Sequence, residues 1–201
     1  MNLRKYFVKF SLIFFTLLLF SEKSFSVEPD KFIQSITDEA SKVLVDNLSK
    51  DEKIEKLKGI ALKSVDIKGI GLYTLGSHRK NLSDNQKEKY NELFKKYFLK
   101  SFASRLSDYT DPKINVLSME KLNEKYTIVS STLVATEKNP EVKIDWRVYT
   151  KNPEKLLIRD LIVEGLSLAR TQKEEFVSVI DRNDGDVNKL FERLEEFINK
   201  N

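Results

Sequence analysis

The sequence predicts an α+β domain in which helices cover one face of a curved antiparallel sheet of about four strands. Apolar residues recur at three- and four-residue spacing up to about residue 107, and after Pro112 their period changes to two. Short links between the predicted strands favour antiparallel neighbours. The third strand alternates apolar with polar residues, so one face of the sheet must be covered, and the flanking helices are the only candidates.

The first 26 residues have the pattern of a cleaved secretory signal. Three basic residues precede an apolar run over residues 10–20, and Ser24 and Ser26 supply the small residues of a cleavage site. We therefore expect removal of residues 1–26 and a single mature domain over residues 27–201. The signal contains four basic residues and one acidic residue, so its removal lowers the net charge from +4 to about +1. Nucleic-acid binding thereby loses its compositional support, because tracking phosphates requires a concentrated basic surface.

Three helices are predicted at the start of the mature chain. The first covers residues 29–48, where apolar residues recur at helical spacing, and a second, shorter helix begins near Ile54. Asp66 is a cap for a third helix that stops near Gly76. The chain contains no cysteine, so the packing of such elements must stabilise the exported protein without disulfides.

The fourth helix is the clearest element of the sequence and is predicted over residues 84–107. Ser83 and Gln86 form a capping-box pattern at its start. One face carries an unusually aromatic stripe, which consists of Tyr90, Leu93, Phe94, Tyr97, Phe98, Phe102 and Leu106. On periodicity alone, this stripe is either part of an ordinary core or the wall of an apolar cavity.

The sheet and two closing helices follow. The predicted strands cover residues 114–117, 126–135, 142–149 and 156–163, and the predicted helices cover residues 167–180 and 187–198. Between the last strand and the first of these helices, Gly165 lets the chain turn sharply, and Ser167 is placed to cap the helix. We therefore interpret the segment RDLIVEGLSLAR, residues 159–170, as a corner and not as a catalytic turn.

Residue patterns that support catalysis or metal binding are scarce. His78 is the only histidine, and no cysteine or second histidine accompanies it, so neither a metal site nor a cofactor is expected. The chain has no glycine-rich phosphate loop, and the segment around Ser167 lacks the second glycine of a nucleophile elbow. The sequence therefore predicts that the protein is not an enzyme.

An ordered set of short segments carries a family resemblance. They are the segment LGSHR at residues 75–79, Ser83 and Gln86 before Phe94 and YFL at 97–99, SRLSDY at 104–109, Asp160, and VEGLSL at 163–168. In these residues the chain resembles the MlaC/toluene-tolerance family, from about Phe32 to Phe197. The resemblance implies a periplasmic, monomeric carrier that holds phospholipid acyl chains in an apolar cavity between sheet and helices. It also implies two partners, an outer-membrane lipoprotein complex and an inner-membrane ABC transporter complex, between which lipid is shuttled to maintain outer-membrane asymmetry.

The lipid-binding residues that we expect under this resemblance lie on both walls of the cavity. The helices contribute Leu72, Leu75, Phe94, Tyr97, Phe98 and Phe102, and the sheet contributes Val129, Leu133, Ile144, Trp146, Val148, Leu161 and Val163. Two alternatives remain. A periplasmic adaptor with a filled core would bind no lipid. An NTF2-like enzyme would place an acid or a histidine inside the cone of the sheet, for which the β region offers mainly Asp145 and Asp160.

Overall fold

Six α-helices and one five-stranded sheet form the described part of a computed structural model, which covers residues 27–109, 111–137 and 140–200. The predicted signal sequence lies outside these residues. In chain order the elements are α1 Pro29–Val45, α2 Lys50–Ser64, α3 Ile67–Thr74, α4 Asp84–Leu106, β1 Ile114–Asn123, β2 Tyr126–Leu133, β3 Val142–Tyr149, β4 Leu157–Val163, β5 Leu166–Ser167, α5 Leu168–Asp181 and α6 Val187–Asn199. None of the described helices has the length and hydrophobicity needed to cross a membrane.

The sheet is antiparallel throughout and remains unclosed. Its strand order is β1-β2-β3-β4-β5, so each strand pairs with its neighbours in the sequence. Helices pack on it through contacts of α1 with β1 and of α5 with β4. The predicted α+β class and the antiparallel sheet are therefore confirmed.

The edge strand β1 is longer than its sequence pattern predicts. It extends to Asn123 and not only to residue 117, and two register shifts interrupt its pairing with β2 near Leu117 and Leu122. Each shift moves the following side chains to the other face, so the simple alternation that defines a strand in the sequence is lost. The two-residue strand β5 is too short to give any such pattern.

Helix caps explain where several helices begin and end. The first helix ends at Val45, three residues before the predicted end, because Ser49 is needed to begin α2: its hydroxyl accepts from the Glu52 amide in a capping box. The predicted cap of α3 is confirmed, since the Asp66 carboxylate accepts from the amide of Gly69 at 2.8 Å. The Ser83 capping box likewise begins α4.

The segment RDLIVEGLSLAR is a corner, as predicted. Glu164 and Gly165 both have positive φ angles, 49° and 82°, and form the turn between β4 and β5. The Ser167 hydroxyl accepts from the Arg170 amide at 3.1 Å and donates to Asp160 Oδ2 at 2.6 Å. Ser167 therefore joins the start of α5 to β4.

The aromatic stripe of α4 serves two purposes along its length. Its first part, Tyr90, Leu93 and Phe94, is buried in the largest core cluster together with residues of α3, α5 and α6. Beyond Phe94 the stripe is only partly buried. Tyr97 still contacts Phe176 of α5 and Phe197 of α6, whereas Phe98, Phe102 and Leu106 line an open space between the helices and the sheet.

Candidate functional site

A cavity of about 460 Å³ lies between the helices and the inner face of the sheet. Its helical wall comes mainly from α1, α2, α4 and α5, and its sheet wall from β2, β3 and β4. Apolar side chains supply most of the lining. This volume falls within the range of small-molecule sites, which are concave, mostly apolar and provided with few polar groups.

The wall from α4 is aromatic. Phe98 and Phe102 are one helical turn apart, and their rings stack with centroids 5.7 Å apart at an interplanar angle of 9°. Phe94 lies at the boundary between the cavity and the core, where its ring contacts Phe98 and Phe176. The result is a rigid, apolar surface along one side of the cavity.

The sheet wall is centred on Trp146 of β3, the only tryptophan of the chain. Its indole Nε1 donates to the hydroxyl of Ser131 at 2.8 Å, and this hydroxyl donates in turn to the Ile144 carbonyl at 3.0 Å. These two bonds satisfy the indole N–H and fix the orientation of its ring. Leu161 pairs with Trp146, and Val163 pairs with Ile144, so all four side chains lie on the cavity face of the sheet.

The polar groups in the deep part of the cavity are already satisfied. Thr37 donates to the Ile33 carbonyl at 3.0 Å, and Ser64 donates to the Ile60 carbonyl at 2.8 Å, each within its own helix. Both residues are buried. A hydroxyl that bonds to a carbonyl of its own helix requires no partner from a ligand, so this region can accommodate a hydrocarbon without loss of hydrogen bonds.

The side of the cavity between α4 and α5 is more polar. The Tyr97 hydroxyl donates to Gln172 Oε1 at 2.8 Å, and Gln172 Nε2 donates to Glu175 Oε2 at 2.9 Å. Burial raises the pKa of Tyr97, and the Glu175 carboxylate raises it further, whereas the charge of Arg105 lowers it. Arg105 and Glu175 both belong to the lining of the cavity.

Nine of the thirteen residues that the sequence indicated for lipid binding lie in the cavity wall. They are Phe94, Tyr97, Phe98, Phe102, Leu133, Ile144, Trp146, Leu161 and Val163. The structure does not place the other four there. Leu75 is buried in the largest core cluster, Val129 and Val148 are buried in a second cluster beside α1, and Leu72 is half-buried on α3. The inward face of β3 therefore lines the cavity over only part of its length. The pairing of β3 with β4 is interrupted by a bulge between Arg147 and Val148, and α1 packs on this end of the sheet.

The contribution of α1 to the cavity was not predicted from the sequence. This helix lines the cavity with Ile36, Thr37, Ala40, Ser41 and Leu44. Helical spacing gives the inward face of α1, but it does not distinguish a face that packs against other side chains from one that faces a cavity. Small residues at Ala40 and Ser41 are the available signal, since they leave space where a filled core would have larger side chains.

The acids and the histidine that could have marked an enzyme have structural partners. Asp160 is buried and accepts from the Ser167 hydroxyl at 2.6 Å and the Ala169 amide at 3.0 Å, with Arg147 at 3.5 Å. Asp145 lies outside the cavity lining, 3.5 Å from Lys143. His78 pairs with Asp181 at 2.8 Å, also outside the lining. Among the described residues, no group of three or more histidine, cysteine or acidic side chains could hold a metal ion.

A second depression of similar volume is a weaker candidate site. Its lining residues, Glu174, Val177, Ser178, Asp181 and Arg182, all belong to α5 and its C-cap. A depression lined by a single helix is an open surface groove and does not enclose a ligand.

Comparison with known proteins identifies related sequences and structures. The sequence model of the MlaC family, described as MlaC protein, matches residues 34–196. No curated protein matches the chain. Seven solved chains match it in structure, among them a phospholipid-binding protein from Ralstonia solanacearum, solved in complex with a phospholipid. That protein is 18% identical, and the match covers 86% of this chain and 97% of the other, with a TM-score of 0.73.

Proposed function

The chain belongs to the MlaC family, and from this membership we propose that it is a periplasmic phospholipid carrier. The observation that carries the proposal is the cavity of about 460 Å³, which aromatic and aliphatic side chains line on both walls. The structural relative from Ralstonia solanacearum, which holds a phospholipid, gives further support. In the proposed complex the acyl chains lie against the apolar walls and the headgroup remains at the mouth.

The energetics of lipid transfer explain why such a cavity is needed. Each methylene group that leaves water contributes about 0.8 kcal/mol, so a sixteen-carbon chain exposed to water is unfavourable by roughly 10 kcal/mol. A carrier lowers this cost by giving the chain an apolar environment throughout its passage between membranes. Because no covalent bond forms or breaks, this function needs no catalytic residues.

We further propose that residues 1–26 direct export and are then removed, leaving a single monomeric domain over residues 27–201. The domain would exchange lipid with an outer-membrane lipoprotein complex and an inner-membrane ABC transporter complex, and so maintain outer-membrane lipid asymmetry. Release of a buried chain requires a partner that binds a different state of the carrier, because a ligand shifts an equilibrium only by its differential affinity for the two states.

The residues proposed to contact the acyl chains follow from the cavity lining. From the helices they are Phe94, Phe98 and Phe102, together with Ile36, Ala40 and Leu44, and from the sheet they are Ile144, Trp146, Leu161 and Val163. A filled-core adaptor is less well supported than a carrier. A close-packed interior has few voids larger than a water molecule, and this cavity is many times that size.

The proposal is tested by native mass spectrometry of the mature protein, purified from a bacterial periplasm without detergent. Solvent extraction and lipid analysis of the same sample would identify what the protein carried. We expect stoichiometric phospholipid. A protein that is free of lipid, and that takes up none from added liposomes, would contradict the proposal and favour the adaptor.

A further inference from the structure

The polar groups of the cavity divide into two sets with different hydrogen-bonding states. The deep hydroxyls of Thr37 and Ser64 bond to their own helices. By contrast, Ser101 and Arg105, at the edge formed by α4, make no side-chain hydrogen bond or ion pair with any residue in the described ranges. Unused donors at one edge of an otherwise apolar cavity indicate where the polar end of a ligand would lie.

Helical spacing brings these groups into a line on α4. Tyr97, Ser101 and Arg105 are four residues apart and therefore share one face, directly beside the apolar stripe of Phe98 and Phe102. This polar line becomes more exposed toward the C-terminal end of α4: Tyr97 and Ser101 are half-buried, and Arg105 is exposed. Arg105 thus lies where the lining meets solvent.

The helix across this edge, α5, carries a matching polar face. Thr171, Gln172 and Glu175 line the cavity at spacings of one and three residues. The Tyr97–Gln172 hydrogen bond of 2.8 Å joins the two helices, and Glu175 lies one turn further along α5. Glu175 is exposed and forms no ion pair among the described residues, since its bond from Gln172 involves a neutral amide.

Arg105 and Glu175 are the two charged lining residues that remain available to a ligand. The third, Asp160, is buried and already bonded to Ser167 and Ala169. Arg105 lies on α4 and Glu175 on α5, the two helices that the Tyr97–Gln172 hydrogen bond joins, and the two charged side chains are not paired with each other. A cation and an anion held apart in this way are complementary to a ligand that carries both charges.

We propose that the edge between α4 and α5 is a headgroup site for a phospholipid with a phosphate and a primary ammonium, of which phosphatidylethanolamine is the simplest. The Arg105 guanidinium binds the phosphate, and the Glu175 carboxylate binds the ammonium. An anionic headgroup without an ammonium, such as that of phosphatidylglycerol, would satisfy Arg105 but not Glu175. This inference rests on the proposed function of the cavity and adds a headgroup preference to it.

The test is a competition between two lipids with the same acyl chains. Lipid-free mature protein is incubated with liposomes that contain equal amounts of phosphatidylethanolamine and phosphatidylglycerol, then separated from them, and its lipid is extracted and quantified. The wild-type protein should be enriched in phosphatidylethanolamine by roughly two- to fivefold, the effect of a solvent-exposed ion pair. Glu175→Gln should bring the ratio close to one at unchanged total loading. Arg105→Gln should lower the loading of both lipids, and that of phosphatidylglycerol more.

Two exposed residues outside the cavity provide matched controls. Glu174→Gln and Arg79→Gln make the same chemical changes, and both should keep the wild-type loading and ratio. Thermal unfolding of each variant shows whether it is folded. Equal loading of the two lipids by the wild-type protein, or an unchanged ratio in Glu175→Gln, would overturn the headgroup site and leave the carrier function standing. A folded protein that loads neither lipid would overturn the carrier function as well.

Discussion

Replacing Phe102 by aspartate would place a carboxylate in the wall of the cavity without removing a residue from the closed core. Phe102 is partly buried and stacks on Phe98 with centroids 5.7 Å apart. In the empty protein the new carboxylate can remain hydrated, so the fold should survive. An acyl chain that enters must then displace this water.

The cost of that desolvation sets the expected loss of affinity. Removing a carboxylate from water costs several kcal/mol in real proteins, even after relaxation. At about 3 kcal/mol the affinity for phospholipid falls more than a hundredfold, since each 1.4 kcal/mol is a factor of ten. Phe102→Leu, which keeps the wall apolar, should stay within tenfold of the wild-type protein.

The assay is loading from liposomes without detergent, followed by quantification of the extracted phospholipid. Ser104→Asp is the matched control, because Ser104 is exposed on the same helix and lies outside the cavity lining. Circular dichroism during heating would show that all three variants unfold cooperatively. Wild-type loading by a folded Phe102→Asp protein would refute the assignment of this helix face to the lipid.

Three further predictions concern the closed cores. Val148 is fully buried outside the cavity, so the Val148→Asp protein should not fold and should show no cooperative thermal transition. A variant that folds and unfolds cooperatively would show that the Val148 side chain is not buried as described. Tyr90 and Thr74 share a buried hydrogen bond of 2.7 Å, and the Thr74 hydroxyl also donates to the Gly71 carbonyl at 2.7 Å. Thr74→Val should therefore lower the free energy of unfolding by about 1–3 kcal/mol, because it leaves the Tyr90 hydroxyl without a partner, and Tyr90→Phe should lower it less. Denaturant unfolding measures both values, and the reverse order would contradict this network. Burial raises the pKa of Tyr90 above its value of about 10 in the unfolded chain, so the free energy of unfolding of the wild-type protein should fall as the pH rises above 10. The Tyr90→Phe protein should lose less stability over the same pH range.

The sequence predicts most of the fold because its period is clear wherever one face of an element is buried and the other is not. The helix α4, its capping box and strand β3 are all predicted within a residue or two. Strand β1 is predicted only in part, since its bulges change the face of successive residues and most of its side chains are exposed. A short strand such as β5 depends on the turn at Glu164 and Gly165 and on pairing with β4, which a local pattern does not contain.

The cavity itself is harder to predict from the sequence than its walls. A single stripe on α4 continues from Tyr90, in the core, to Phe102, in the cavity wall, with no change in residue type. Whether such a stripe is covered depends on the length and position of the facing helices. For the same reason Val148 and Ile144, on one face of β3, differ in surroundings: Val148 is packed beside α1, and Ile144 lines the cavity.

Trp146 allows the central claim, that the cavity holds acyl chains, to be tested in the unmodified protein. It is the only tryptophan of the chain, and its indole lies in the sheet wall of the cavity, fixed by its hydrogen bond to Ser131. The measurement is its fluorescence after loading with a phospholipid that carries a bromine or nitroxide quencher in the middle of one acyl chain. An unlabelled lipid with the same headgroup and chain length is the control. We predict strong quenching by the labelled lipid alone; stoichiometric loading without quenching would show that the chains bind elsewhere and would contradict the account.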